Sequence, residues 1–248
     1  MNRKRERKRE RERSLKHLFL EILIIILLVA DIVLFYNSQI VSSVIMIALV
    51  IFTFIFFHTK KDIAFYVVGL ILATAGELVC VKFGVWVNVN PLFWGIPLWS
   101  PVVWGLAFLI INRLRNTIFK LESIRTERYP PPIKSKGWAI AYLMFMYILL
   151  ILFLSFLWRD NVAVFIIISV LLFINILIFH SKEDIYYILI LSVVASISEM
   201  VITASGAWYF NNPTFLNIPF WLAIGYGYLG LIVRRTAVTV NNYFRKTA

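Results

Sequence analysis

The hydrophobic residues of this chain fall into eight long runs that are separated by short polar segments. A helix needs about 20 mainly apolar residues to cross roughly 30 Å of hydrocarbon, and each run is close to that length. We therefore predict an all-α integral membrane protein with eight transmembrane helices. The predicted helices are 18–36, 40–57, 63–81, 91–112, 138–157, 162–179, 185–204 and 213–233.

The polar segments between the runs occur twice, at a constant offset of 122 residues and without a gap. So many matches among uncommon residues at one offset indicate a tandem duplication. The matched pairs include His58 and His180, Glu77 and Glu199, Trp86 and Trp208, Asn90 and Asn212, Pro97 and Pro219, Trp99 and Trp221, and Arg113 and Arg235.

The duplication predicts two four-helix repeats, residues 17–120 and residues 138–242. Four spans is an even number, so both repeats enter the membrane with the same orientation. They are then parallel repeats, related by a pseudo-two-fold axis along the membrane normal. The other segments are a basic cytoplasmic tail (1–16), a cytoplasmic linker (121–137) that contains Tyr129-Pro130-Pro131-Pro132, and a short cytoplasmic tail (243–248).

Composition and charge indicate that most of the protein surface faces lipid and not water. The chain is 61% hydrophobic and 15% charged, with a mean hydropathy of +0.83, and a soluble protein of 248 residues would need more charge on its surface. The net charge is +12, but half of this excess lies in residues 1–16 and most of the rest flanks the apolar runs. We expect a cell-membrane protein with both termini cytoplasmic, anionic lipid headgroups at the basic tail, and no nucleic acid.

Glu77 and Glu199 are the strongest candidates for chemistry. Each lies 14 residues beyond the start of its predicted helix. At about 1.5 Å per residue, this places each carboxyl about 9 Å below the outer boundary of the membrane. A carboxyl at that depth is costly and suggests a functional site. The structural alternative is a hydrogen-bonded clasp between helices.

The clasp has a candidate partner in the predicted helices 91–112 and 213–233. Pro97 and Pro219 lie six residues into these helices, where proline cannot donate a backbone hydrogen bond. The carbonyl group four residues earlier would then be free to accept a hydrogen bond from a protonated Glu.

Tryptophan and asparagine residues follow each Glu in the predicted outer loops. Asparagine often caps a helix, and tryptophan prefers the membrane interface, so a structural role accounts for most of them. The alternative is a pair of equivalent outer vestibules that suit an amphipathic ligand. The residues concerned are Trp86, Asn90 and Trp99 in the first copy and Trp208, Asn212 and Trp221 in the second.

His58, Asp62, His180 and Asp184 recur on the predicted inner side. Helix capping and the helix dipole explain Asp and His at these positions better than metal binding does, so we predict no metal site. The sequence identifies no cofactor.

Three functions fit these features. The first is binding or translocation of a small or amphipathic molecule at a site near the outer leaflet, centred on Glu77 and Glu199. The second is a membrane-embedded enzyme that acts on a lipid or isoprenoid, with one Glu as acid and the other as base. The third is a non-catalytic scaffold in a membrane complex. Whether the protein is an enzyme stays open; the partners expected are membrane lipids and a homo-oligomer or a membrane complex.

Overall fold

The computed structural model describes residues 2–57, 59–121, 136–179 and 181–244. His58, His180 and the proline-containing linker lie outside these ranges. The described residues form eight helices and two short strands. They are α1 (Asn2–Phe35), α2 (Gln39–Phe57), α3 (Lys60–Lys82), β1 (Trp86–Asn88), α4 (Ser100–Leu121), α5 (Lys136–Leu157), α6 (Asn161–Phe179), α7 (Lys182–Ser205), β2 (Trp208–Phe210) and α8 (Leu222–Phe244).

The chain is an all-α integral membrane protein. Seven of the described helices, α1 to α7, are long and apolar enough to cross a membrane. The eighth, α8, has 23 residues and carries the buried Arg234 and Arg235 near its middle. Helix α1 also continues the first predicted span back to Asn2, through the basic N-terminal residues.

The predicted starts of the fourth and eighth helices are wrong. Helices α4 and α8 each begin nine residues later than predicted, at Ser100 and Leu222. The hydropathy of the preceding segment suits a helix, but its backbone does not. Trp94 and Gly95 have φ values of 47° and 87°, which are left-handed, and a right-handed helix cannot pass through such residues. Leu216 and Asn217 do the same before α8, with φ values of 44° and 64°.

Each of these segments is a tight turn in the loop that precedes α4 or α8. The Ile96 N–H donates to the Phe93 carbonyl at 2.9 Å, and the Ile218 N–H donates to the Phe215 carbonyl at 2.9 Å. Pro97 and Pro219 therefore lie in loops that lead into α4 and α8, and they do not kink a helix. The carbonyls that we predicted to be free are occupied by the backbone of the turn.

The first half of the chain (α1–α4) and the second half (α5–α8) make matching contacts. Helix α3 packs most extensively on α4, as α7 does on α8. Between the halves, α3 packs on α8 and α7 packs on α4, while α1 contacts α7 as α5 contacts α3. Helices α4 and α8 are consequently the most central, and Leu106, Leu109, Ile232 and Val233 are almost completely buried there.

Strands β1 and β2 join the two halves in the loops that follow α3 and α7. They pair antiparallel, with Trp86 opposite Phe210, Val87 opposite Tyr209 and Asn88 opposite Trp208. Val87 and Tyr209 are 122 positions apart, so the central residue of each strand pairs with its own counterpart. Gly84 and Gly206 precede the strands with φ values of 75° and 84°, a conformation that favours glycine after a helix.

A buried charge network lies in α3, α4, α7 and α8, towards the ends of these helices away from the strands. Arg113 pairs with Asp62, and Arg235 pairs with Asp184, its counterpart in the second half. Asp62 lies in the first turn of α3 and accepts the Thr59 N–H at 2.7 Å, so Thr59 is the N-cap residue and Asp62 completes the cap.

The second half adds charges that the first half lacks. Glu183 bonds to Arg115 of α4 at 2.5 Å and to Arg234 of α8 at 2.6 Å. Arg234 also pairs with Asp184. Because Arg115 belongs to the first half and Arg234 to the second, Glu183 ties the two halves together.

We expect Asp184→Asn to lower the free energy of unfolding much more than Asp62→Asn. Asp184 pairs with two arginines whose side chains are only 1% and 4% exposed, so the change removes a carboxylate that two buried positive charges share. Such a loss typically costs about 3–5 kcal/mol. Thermal or denaturant unfolding in detergent, with the exposed Asp160→Asn as control, measures the difference. An equal or larger loss in Asp62→Asn would contradict the assignment.

Candidate functional site

A cavity of about 100 Å³ lies between α1, α4 and α7 and is lined by both Glu77 and Glu199. Trp86 and Trp208 of the two strands form part of its wall. Most of the remaining lining is apolar and includes Ile24, Leu28 and Ile32 of α1 and Val103 and Ile111 of α4. The two repeated carboxyl groups therefore belong to one cavity.

Glu77 accepts hydrogen bonds from three side chains. The Trp104 Nε1–H donates to its Oε2 at 2.7 Å, and the Ser100 hydroxyl donates to the same oxygen. Asn88 Nδ2 donates to Oε1 at 3.3 Å. Glu77 is 6% exposed. These donors come from α4 and β1, so the carboxyl holds α3 against both elements.

Glu199 is equally buried and accepts hydrogen bonds from two aromatic side chains. The Trp208 Nε1–H donates to its Oε2 at 2.8 Å, and the Tyr226 hydroxyl donates to its Oε1. Glu199 is also 6% exposed. Like Glu77, it is bound both by a residue that follows its helix and from the next long helix, where Glu77 has two donors and Glu199 has one.

Trp104 and Tyr226 were missed by the sequence reasoning. They are counterparts at the offset of 122 residues, and each donates a hydrogen bond to the Glu of its own half. Their ring centroids are 6.1 Å apart, so the two Glu–aromatic pairs meet across the boundary between the halves. A comparison of the two repeats for positions that both carry a hydrogen-bond donor, and not only for identical residues, could have found them.

Asn90 and Asn212 form hydrogen bonds that hold the loops after the two strands in place. Asn90 Nδ2 donates to the Asn37 carbonyl at 2.9 Å, and Asn212 Nδ2 donates to the Arg159 carbonyl at 2.8 Å. Asn37 and Arg159 lie in the α1–α2 and α5–α6 turns. Both asparagines therefore connect the loop after a strand to the helical hairpin of the same half.

Trp99 and Trp221 occupy equivalent positions but have different environments. Trp99 lines the cavity, is 2% exposed, and its Nε1–H has no hydrogen-bond partner. The Trp221 Nε1–H donates to Asn161 Oδ1 at 2.7 Å. The two tryptophans thus differ in whether the indole N–H has a hydrogen-bond partner.

Among the residues that the structure describes, no group of three or more His, Cys, Asp and Glu side chains is arranged to hold a metal ion. The polar side chains at the cavity interact through hydrogen bonds. Two carboxylates held by Trp, Tyr and Ser donors stand beside apolar walls, an arrangement that suits a molecule with an apolar body and a polar group.

No family model matches the sequence, and no curated protein matches it significantly. Similar folds occur in solved structures of MvINS, an Insig homologue from Mycobacterium vanbaalenii, with a TM-score of 0.58, and of a cross-linked MvINS variant trimer, with a TM-score of 0.56. Each has 16% identity to this chain and covers 74% of it and 96% of its own length. At this identity the similarity supports the fold, a multi-pass helical membrane protein.

We expect Glu77→Gln to destabilise the protein more than Glu199→Gln. Both oxygens of Glu77 face N–H donors, so a Gln amide nitrogen must oppose one of them. At Glu199, the Gln oxygen can keep the Trp208 bond while its nitrogen donates to the Tyr226 hydroxyl, which also accepts. An unsatisfied buried donor costs about 1–3 kcal/mol.

Melting temperatures of the two variants in the same detergent measure this difference. Glu12→Gln, on the exposed basic part of α1, is the matched control. Equal melting temperatures for Glu77→Gln and Glu199→Gln would contradict the hydrogen-bond assignment.

Proposed function

We propose that the protein binds a small or amphipathic molecule in the cavity between α1, α4 and α7, with Glu77 and Glu199 as its polar centre. The observation that carries this proposal is that both repeated glutamates line one cavity whose walls are otherwise largely apolar. An apolar body would pack against α1 and α4, and a polar group would meet the carboxylates. Translocation of the same molecule extends this proposal and needs an additional opening step.

Equal burial of the two glutamates favours binding over catalysis. An acid–base enzyme needs two carboxyls with different environments, so that one holds a proton and the other does not. Glu77 and Glu199 are each 6% exposed, and each accepts a hydrogen bond from the aromatic residue at the same position of its half. The presence of a cavity supports binding or catalysis over a scaffold role, because a scaffold would not need a cavity.

The proposal includes a duplicated origin of the site. We infer that residues 17–120 and 138–242 are parallel repeats related by a pseudo-two-fold axis along the membrane normal. The matching helix contacts and the pairing of Val87 with its counterpart Tyr209 support this relation. The site then lies near the axis, where each half supplies one carboxylate and the aromatic donor of α4 or α8.

We also propose the membrane environment of the site. The protein lies in the cell membrane with both termini and the basic tail in the cytoplasm, where anionic lipid headgroups attract positive charge. Strands β1 and β2 are then on the outer side, and the cavity opens towards the outer leaflet. A homo-oligomer is part of the proposal, because cross-linked MvINS is a trimer.

Labelling of single cysteines from outside tests the orientation. Asn37→Cys and Arg159→Cys change exposed residues at equivalent positions in the α1–α2 and α5–α6 turns. A membrane-impermeant maleimide should label both in intact cells, whereas the native Cys80 is buried and should not react. Labelling that requires permeabilised cells at both sites would reverse the orientation.

Mass spectrometry of the purified protein tests the binding function. We expect an amphipathic molecule to be retained by the wild type and by Glu12→Gln, and to be reduced about tenfold in Glu199→Gln, which removes a charge-assisted acceptor worth about 1.5–3 kcal/mol. The melting temperature of Glu199→Gln provides the folding control. Equal retention by Glu199→Gln and the wild type would exclude a polar centre at Glu199 and favour the scaffold.

A further inference from the structure

The cavity between α1, α4 and α7 is lined by two carboxyl groups and by no basic group. Apart from tryptophan, its polar lining residues are Glu77, Glu199, Ser100, Ser198 and Tyr226. Lys, Arg and His are absent from the lining residues that the structure describes. A charged ligand of this cavity should therefore be a cation and not an anion.

The carboxylates of the network at the opposite ends of the helices are compensated by arginine, and Asp184, for example, pairs with Arg234 and Arg235. Glu77 and Glu199 accept hydrogen bonds from uncharged side chains alone, which are Asn88, Ser100, Trp104, Trp208 and Tyr226. An ionised carboxyl group inside a membrane protein usually pairs with a cation, because its charge is costly there. The two glutamates at the cavity lack the positive charge that the carboxylates of the network have.

Glu199 has more capacity for a ligand than Glu77 has. A carboxylate can accept about four hydrogen bonds. Glu77 accepts three from the protein, whereas Glu199 accepts two, one on each oxygen. Each oxygen of Glu199 can therefore accept one further hydrogen bond. An ammonium group has up to three N–H donors and carries the positive charge that the cavity lacks.

Aromatic side chains make up a large part of the cavity wall. They form groups of neighbouring rings, which are Trp104 with Phe108 and Tyr226, Trp99 with Trp208, and Trp86 with Phe210. The face of an aromatic ring is partly negative and attracts cations, and tryptophan does so most strongly. Aromatic rings beside carboxyl groups are a composition that favours an organic ammonium ion.

Helix α1 provides a different kind of wall. Its side chains at the cavity are all aliphatic, and they are Ile24, Ile25, Leu28, Val29 and Ile32. Such a wall suits the apolar part of a ligand, whereas the carboxyl groups and most of the aromatic rings come from α3, α4, α7 and the strands. The cavity thus has separate places for the two parts of an amphipathic cation.

We propose that the ligand of this cavity is an amphipathic amine, bound as its ammonium ion, with its apolar part against α1 and its N–H groups donating to Glu199. This inference rests on the proposed binding function. It adds the chemical class of the ligand, the charge that the cavity selects, and the carboxyl group that the ligand contacts.

Equilibrium dialysis of the purified full-length protein with hexylamine, hexanol and hexanoate tests the proposal. The three probes have six-carbon chains and are a cation, a neutral molecule and an anion near neutral pH. Hexylammonium should bind about tenfold more tightly than hexanol, because a charge-assisted hydrogen bond is roughly twice as strong as a neutral one. Hexanoate should bind more weakly than hexanol, and dialysis against detergent alone corrects for uptake of the probes into micelles.

Glu199→Gln should lower the affinity for hexylammonium to about that for hexanol, while hexanol binding changes little. Asp31→Asn is the matched control, because Asp31 is a buried carboxyl residue, 4% exposed, that does not line the cavity. It should retain the preference for hexylammonium. Retained binding of hexanol shows that the cavity of each variant is intact, and the ranking of the three probes by the wild type decides if a variant does not fold.

The outcomes separate this inference from the proposed function. If the wild type binds none of the three probes, both are wrong. If hexanol binds at least as tightly as hexylammonium, the cavity still receives an amphipathic molecule and only this inference is wrong. An equal loss of the preference in Asp31→Asn and Glu199→Gln would attribute it to the charge of the whole protein and overturn the contact with Glu199.

Discussion

Polar groups that are buried among membrane helices must find their partners within the protein, since hydrocarbon offers none. This constraint explains how the helices of this protein are held together. Glu77 and Glu199 accept hydrogen bonds from the strands and from α4 and α8, and they thereby fix the ends of α3 and α7 that lie next to the strands. Asp184 and Glu183 do the same for arginines at the opposite ends. The apolar surfaces between these two sets of polar contacts add packing energy, but they do little to specify which helices pair or how these are oriented.

Hydropathy predicted the existence of all the helices and the limits of most of them. Helices α2, α5 and α6 agree with their predicted spans because each apolar run ends in a polar turn. It failed at the starts of α4 and α8, where the preceding loops are themselves apolar and a run of hydrophobic residues includes both loop and helix. The left-handed residues Trp94 and Leu216 end the helical geometry without any change in hydropathy.

The two glutamates could be selected from the sequence, but their hydrogen-bond donors could not. Glu77 and Glu199 recur within apolar runs, where a carboxyl needs an explanation, and both line one cavity. The donors could not be identified, since the predicted clasp relied on helical positions for Pro97 and Pro219 that depend on the wrong helix starts. The unpaired indole N–H of Trp99 lies beside a hydrogen bond between residues that are distant in sequence, Leu98 and Gln39, and no local pattern encodes such a bond.

The pairing of Val87 with Tyr209 has a consequence for how such a molecule could arise. An antiparallel pair whose central residue faces its own counterpart is an isologous contact, of the kind found in symmetric dimers. One half carries the complete edge that this contact needs, so two identical copies of an ancestral half could have formed it before any linker joined them. In one chain, each half of such a pair can change its sequence without changing the other, which identical subunits of a dimer cannot do.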